Sequence, residues 1–278
     1  MNSRGRRMRG VFHTLVFYSL WVVVGVAFTL VFFPPLYLLS RLVPGAVRPF
    51  RVFTRHFYGV IIRALEVTGA IRLGEMKGVE RLHRGGAAVV VANHRTLLDV
   101  LILMWQLPHA SCLLKPLKKA PDGQSRNTMP DFWKPFIMAP FSLLGYVPMP
   151  PSWNDRDALK QTFDRCIALL RAGRPVVIFP EGTRSPDGRL LPFRDFPFHL
   201  AKAAGVPLVP VLIHTDTRFM PQGTVGIDAA RRCTYRLMVL PDILLGPRLR
   251  SADLLVEARM RIQKAVGEYD LEYGYLDE

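Results

Sequence analysis

Residues 87–99 read Ala87-Ala88-Val89-Val90-Val91-Ala92-Asn93-His94-Arg95-Thr96-Leu97-Leu98-Asp99, and this stretch decides the fold. Its first six residues are small or β-branched without a polar interruption, the composition of a short strand buried on both faces of a sheet. Residues 97–107, LLDVLILMWQL, continue as a helix. The same alternation runs on through the chain. A helix is predicted over 157–171, with Ala158, Leu159, Phe163, Cys166, Ile167 and Leu170 as its apolar positions; it closes at Gly173 and leads through Pro175 into a strand over 176–179. Residues 198–204 read as a shorter helix stopped by Gly205, 208–213 and 235–240 as strands, and 254–266 as an amphipathic helix. Strands and helices in alternation predict a layered α/β domain, a sheet flanked by helices. Between residues 117 and 140 the chain is rich in turn formers and reads as a long loop or lid.

The 278 residues carry 37 basic and 22 acidic side chains, a formal charge of +15, yet half are apolar and only 21% charged. That balance excludes a disordered chain. Three separated cysteines, Cys112, Cys166 and Cys233, are too few and too scattered for a disulfide framework or a cysteine-built zinc site. A nucleic-acid binder would account for the charge alone, whereas a protein of the membrane surface accounts for the charge and for the positive mean hydropathy. The charge is unevenly placed. Residues 1–72 hold ten arginines, no lysine and a single acid, Glu66, so most of the excess lies there and not on the domain that a nucleic acid would have to contact.

The same segment is the candidate membrane anchor. Residues 11–33 are free of Asp, Glu, Lys and Arg and end at Pro34-Pro35; as a helix they would cover roughly 34 Å at about 1.5 Å per residue. The uncharged stretch continues over residues 10–40; four arginines precede it and four follow it within fifteen residues, so either a single span or a shallow re-entrant insertion is compatible with the charge pattern. Next, residues 50–67 sort by helical angle into an apolar face (Phe50, Phe53, Phe57, Val60, Ile61, Ala64, Leu65) and a polar one (Arg51, Arg55, His56, Arg63, Glu66). A basic amphipathic helix of this kind is expected at the headgroup boundary, although a core-packing helix shares its periodicity. The expected division is a membrane-associating helical segment over 1–72 and an α/β domain over 73–278.

The usual signatures of serine hydrolases, zinc proteases, phosphate-loop enzymes and dinucleotide binders are absent. Two strings stand where strands deliver their C-terminal ends, the position at which α/β sheets bind ligands. Asn93-His94-Arg95-Thr96-Leu97-Leu98-Asp99 follows the first strand. There His94 could serve as a general base whose imidazole Asp99 holds in one tautomer. Equally, Thr96 and Asp99 have the spacing of a helix-capping box, which would leave His94 a surface residue. The second string is Phe179-Pro180-Glu181-Gly182-Thr183-Arg184-Ser185, where Gly182 permits a sharp turn and Arg184 offers a fork for phosphate.

In this order and spacing the two strings resemble the first and third signature blocks of the glycerolipid acyltransferases related to 1-acylglycerol-3-phosphate acyltransferase. Gly145-Tyr146-Val147-Pro148-Met149 and Val206-Pro207-Leu208-Val209-Pro210-Val211 resemble the second and fourth. The resemblance implies acyl transfer from acyl-CoA or acyl carrier protein to the hydroxyl of a lysolipid at the cytoplasmic face of a membrane, with phosphatidic acid as the expected product. It implies His94 as base, Asp99 as its orienting acid, and substrate contacts from Asn93, Lys115, Arg156, Glu181, Gly182, Thr183 and Arg184. No metal, no cofactor beyond the donor and no nucleic-acid partner is expected; membrane lipids and the lysolipid are. Two departures touch the grip on the acceptor phosphate: Pro151 stands where many relatives have arginine, and Lys115-Pro116-Leu117-Lys118 lacks the acid of a related lysine-rich segment. A different lysolipid acceptor, or a non-catalytic lipid-binding protein of this fold, are the alternatives.

Overall fold

A computed structural model describes the chain except for residues 1–2, 28–30, 32–33, 36–37, 39–41, 43–46, 84, 108, 115–145, 151, 218, 221–225, 228–231, 247 and 275–278. In chain order the elements are α1 (Ser3–Ala27), α2 (Val47–Val67), β1 (Ile71–Lys77), α3 (Val79–His83), β2 (Val89–Ala92), α4 (Leu98–Gln106), β3 (Ser111–Leu114), β4 (Val147–Pro148), α5 (Arg156–Arg171), β5 (Val176–Ile178), α6 (Phe196–Ala204), β6 (Leu208–Thr215), β7 (Cys233–Val239) and α7 (Ser251–Tyr273). The seven strands form one sheet in the order β1-β7-β6-β2-β5-β3-β4. All neighbours run parallel except β6 and β7, so β1 and β7 point against the other five.

The apolar run of β2 now has a physical explanation. Its side chains alternate between two cores: Val90 and Ala92 pack with α2 and α4, while Val89 and Val91 pack with α5, α6 and α7. β6 does the same with Val209, Val211 and Ile213 on one face and Leu208 and Leu212 on the other. Helices on both faces remove every such side chain from water, at roughly 1.5–3 kcal/mol for each fully buried Val, Leu or Ile. The expected helix over 157–171 begins at Arg156, where the Asp155 side chain caps it by accepting from the Ala158 N–H at 3.0 Å. The expected helix over 254–266 runs on to Tyr273, and this extension brings Asp270 beside β6.

The N-terminal helices are joined to the domain more closely than a separate anchor would be. α1 includes the first arginines and lies on the body: Arg9 donates to Gly69 O at 3.0 Å, His13 Nε2 is 2.9 Å from Thr68 O, and Thr14 Oγ1 accepts from the Ile227 N–H at 2.8 Å. Phe17 is buried beneath it, whereas Met8, Val11, Phe12, Leu15, Val22 and Val26 form an exposed stripe at helical spacing. Among the described residues no helix is long and apolar enough to cross a membrane. In α2, Tyr58, Ile61, Ile62 and Leu65 are buried in the protein core, while Val60 is exposed. That half of α2 therefore spends its apolar face on α4 and the sheet, because the same periodicity serves a core as well as a bilayer. The loop expected over 117–140 lies outside the described residues.

Candidate active site

β2 and β5 are neighbours, and the two strings follow their C-terminal ends. His94 leaves β2 two residues after Ala92 and lies part-buried with its Nδ1 2.9 Å from Asp99 Oδ2. Asp99 is wholly buried. Its Oδ2 also accepts from the backbone N–H groups of Arg95 and Thr96, each at 2.7 Å, and its Oδ1 from the Thr96 hydroxyl at 2.7 Å. Three fixed donors thus leave the carboxylate one orientation and turn it toward the imidazole. Thr96 Oγ1 in turn accepts from the Leu98 N–H at 3.1 Å and from the Tyr235 hydroxyl of β7 at 2.6 Å. The expected capping box is only partly realised: Asp99 accepts from the Thr96 N–H, but the N-cap of α4 is Leu97, without a side-chain cap bond, and the same carboxylate also meets the imidazole. Phe179 stacks on the His94 ring, with centroids 4.2 Å apart and planes 27° from parallel.

Glu181 links the strings. Its Oε1 accepts from the His94 N–H at 2.8 Å and its Oε2 from the Leu191 N–H at 2.9 Å, while the Ser185 N–H donates to His94 O at 2.7 Å. Burial pushes the Glu181 carboxyl up to about 7, against the two backbone donors that favour its charged form. Asn93 faces the opposite neighbour, exchanging two 2.8 Å hydrogen bonds with the backbone of Ile213 on β6. Asn93 and Glu181 thus have their polar atoms engaged within the protein and brace the loop on either side.

Arg184 is half-buried, and its Nη1 donates to Met220 O at 2.8 Å. Burial disfavours its charge, opposed by the nearby Asp99 carboxylate and by Tyr18 of α1. Gly182 turns with φ +70°, and a Cβ there would lie 2.8 Å from Arg194 Nε. Thr183, between them, is partly exposed. Arg156, on the first turn of α5, lines an open cavity of about 550 Å³ with Trp153, Phe163, Arg194 and His199. Lys115 lies outside the described residues. Among the described residues there is no group of His, Cys, Asp and Glu arranged to hold a metal ion. All three cysteines are buried; desolvation pushes Cys112 and Cys166 up to about 12 and raises Cys233 as well, so none is available as a thiolate.

In the sequence Tyr235 stands out only as part of a strand, and nothing singles out Arg95 or Phe179 within the two strings. A hydroxyl at an inward position of an antiparallel strand is the one signal that could have pointed to Tyr235.

Residues 74–214 match the family profile described as Acyltransferase. The chain is 30% identical over 231 residues to a chloroplastic 1-acyl-sn-glycerol-3-phosphate acyltransferase of Arabidopsis thaliana, covering 80% of this chain and 55% of that protein. It is 28% identical over 180 residues to the human 1-acyl-sn-glycerol-3-phosphate acyltransferase beta, covering 61% of this chain and 59% of the relative. The chain thus spans little more than half the length of these curated relatives. The crystal structure of the 1-acyl-sn-glycerophosphate acyltransferase PlsC from Thermotoga maritima has the same fold, with a TM-score of 0.70 at 20% identity over 98% of this chain and 100% of that one.

Proposed function

Because the chain belongs to the acyltransferase family, we propose that it transfers an acyl chain from acyl-CoA or acyl carrier protein to the free hydroxyl of 1-acyl-sn-glycerol 3-phosphate, giving phosphatidic acid. The observation that carries this reading is the His94–Asp99 pair at the end of β2, with Asp99 on Nδ1 and Nε2 left as the nitrogen that takes a proton. The acceptor oxygen attacks the thioester carbonyl as its proton passes to His94 Nε2. Asp99 stabilises the imidazolium, the tetrahedral intermediate collapses with loss of the thiolate, and His94 returns the proton to the leaving sulfur. No acyl-enzyme is needed, in keeping with the buried, protonated thiols and with a Ser185 hydroxyl that donates to Asp187 at 3.1 Å. These steps use no metal and no cofactor beyond the donor.

Arg184 is the cation proposed for the acceptor phosphate, with Gly182 and Thr183 shaping the turn beside it; Lys115 and Arg156 are proposed as further substrate contacts. Residues 1–72 are the proposed membrane-associating segment and 73–278 the acyltransferase domain, working at the cytoplasmic face. The exposed apolar stripe on α1 beside the arginine-rich start supports that placement, without nucleic acid as a partner.

A panel of lysolipid acceptors offered with acyl-CoA and acyl carrier protein tests the reading. Transfer to 1-acylglycerol 3-phosphate is expected, with His94→Ala and Asp99→Asn each lowering kcat about 10²–10⁴-fold. Transfer that survives in His94→Ala removes that residue as base, and exclusive use of another lysolipid reassigns the acceptor.

A further inference from the structure

The C-terminal helix reaches the loop that carries His94. Arg95 follows the histidine in sequence, and its backbone N–H shares Asp99 Oδ2 with the imidazole. Its side chain, 3% exposed, runs the other way. Nη1 donates to Thr215 O at the end of β6 at 3.1 Å, and Nη2 reaches both carboxylate oxygens of Asp270 on the last turns of α7, at 3.2 and 3.3 Å. A guanidinium so far from water needs a counter-charge. Asp270, 175 positions away in sequence, supplies it. The helix that carries it is firmly seated, with Leu254, Ala258, Ile262, Ala265 and Val266 buried against the sheet.

Asp270 Oδ1 also lies 3.1 Å from Nε2 of the wholly buried His214 on β6. Burial, with Arg95 and then Arg236 nearby, lowers His214 to about 3, so it stays neutral and does not compete with Arg95 for the carboxylate's charge. Arg236 is itself covered by the Tyr273 ring, 3.8 Å from its guanidinium carbon. The matched family segment ends at residue 214, so Asp270 lies beyond it.

Building on the acyl-transfer reading above, we propose that Asp270 is a positioning residue for the reaction, acting through Arg95 to hold the loop in which Asp99 faces His94. The ion pair ties the loop to α7, and the Arg95 N–H ties the same loop to the carboxylate that sets the imidazole. Loss of the pair frees Arg95 to pull its backbone away from Asp99 and lets His94 sample its other tautomer.

The test compares the full chain with Asp270→Asn, Asp270→Glu and the double variant Arg95→Met/Asp270→Leu, which removes the buried cation together with its partner and so guards against loss of the fold. Two readouts are taken: the protonation of the His94 ring nitrogens by long-range ¹H–¹⁵N NMR, assigned through His94→Gln, and kcat and KM on donor and acceptor. Wild type is expected to show one neutral tautomer with the proton on Nδ1. Asp270→Asn and the double variant are expected to show mixed tautomers and a kcat at least tenfold lower with KM within twofold, and Asp270→Glu to recover most of the loss. A wild-type tautomer and wild-type kcat in folded Asp270→Asn or in the double variant overturn the proposal. Failure of the acyl-transfer reading looks different: the wild type then transfers to no acceptor, while the tautomer signal still separates it from Asp270→Asn.

Discussion

His94 and Glu181, 87 positions apart in sequence, are joined by a 2.8 Å hydrogen bond from the His94 N–H to the Glu181 carboxylate. With the return bond from the Ser185 N–H to His94 O, the loops after β2 and β5 form one unit. His94 is thus held from three directions: by Asp99 through its ring, by Glu181 through its backbone, and by Phe179 across its face.

Stability should depend on pH through Glu181. Its folded-state value of about 7 exceeds the ordinary value of about 4.3, so the folded protein binds the proton more tightly between these limits. The associated stability is complete below the unfolded value and is lost as pH rises through about 7, on the order of 3 kcal/mol. Denaturant titrations from pH 4.5 to 8 on wild type and Glu181→Gln measure it: the unfolding free energy of wild type should fall relative to that of Glu181→Gln as pH rises. Parallel pH profiles would show that Glu181 is not the group responsible.

Removing the Tyr235 hydroxyl should loosen the pair from a distance. Tyr235→Phe leaves Thr96 Oγ1 with the Leu98 N–H as its one remaining donor and weakens the orientation of the hydroxyl that holds Asp99 Oδ1. The expected outcome is a loss of about 1 kcal/mol in unfolding free energy and a severalfold lower kcat. A variant with unchanged kcat would confine Tyr235 to packing.

Gly182→Ala should cost more than Gly173→Ala. Both glycines have φ near +70°, so both substitutions strain the backbone, but a Cβ meets nothing within 4 Å at Gly173 and lies 2.8 Å from Arg194 Nε at Gly182. About 1–3 kcal/mol is expected at Gly182, with a fall in activity because the turn carries Glu181 and Arg184. Equal losses in thermal unfolding at the two positions would mean that Arg194 yields without penalty.

Membrane attachment is best tested without deleting α1, since its inner face is bonded to the body. Phe12→Glu/Leu15→Glu changes two exposed positions only. Flotation with vesicles containing anionic phospholipid should fall about tenfold or more, with unfolding free energy nearly unchanged. Undiminished flotation would move the attachment to another surface.

Much of the framework is legible in the chain. The β2, β5 and β6 strands and the α4, α5 and α6 helices follow from apolar runs and glycine or proline punctuation, because helices on both faces demand near-continuous apolar strands; β7 is legible instead by its alternation of buried and half-buried positions. β1 and β4 escape such reading: β1 mixes Arg72, Gly74, Glu75 and Lys77 with apolar residues at the sheet edge, and β4 is two residues long. The apolar face of α2 is legible as a face, but periodicity does not say what covers it, and for Tyr58, Ile61, Ile62 and Leu65 the cover is protein.

For the site, the sequence by itself determined the residue types: a histidine and an aspartate five positions apart at a strand end, and a glycine-arginine turn after the next strand. Each of these is local, set by spacing within its own short segment. Only the tertiary structure decided that Glu181 and Asn93 spend their polar atoms on bracing the loop, that Tyr235 reaches Thr96 from β7, and that Asp270 meets Arg95 from the far end of the chain. These contacts arise where neighbouring strands of the sheet lie side by side and a long helix crosses them, and spacing along a chain carries no record of such distances.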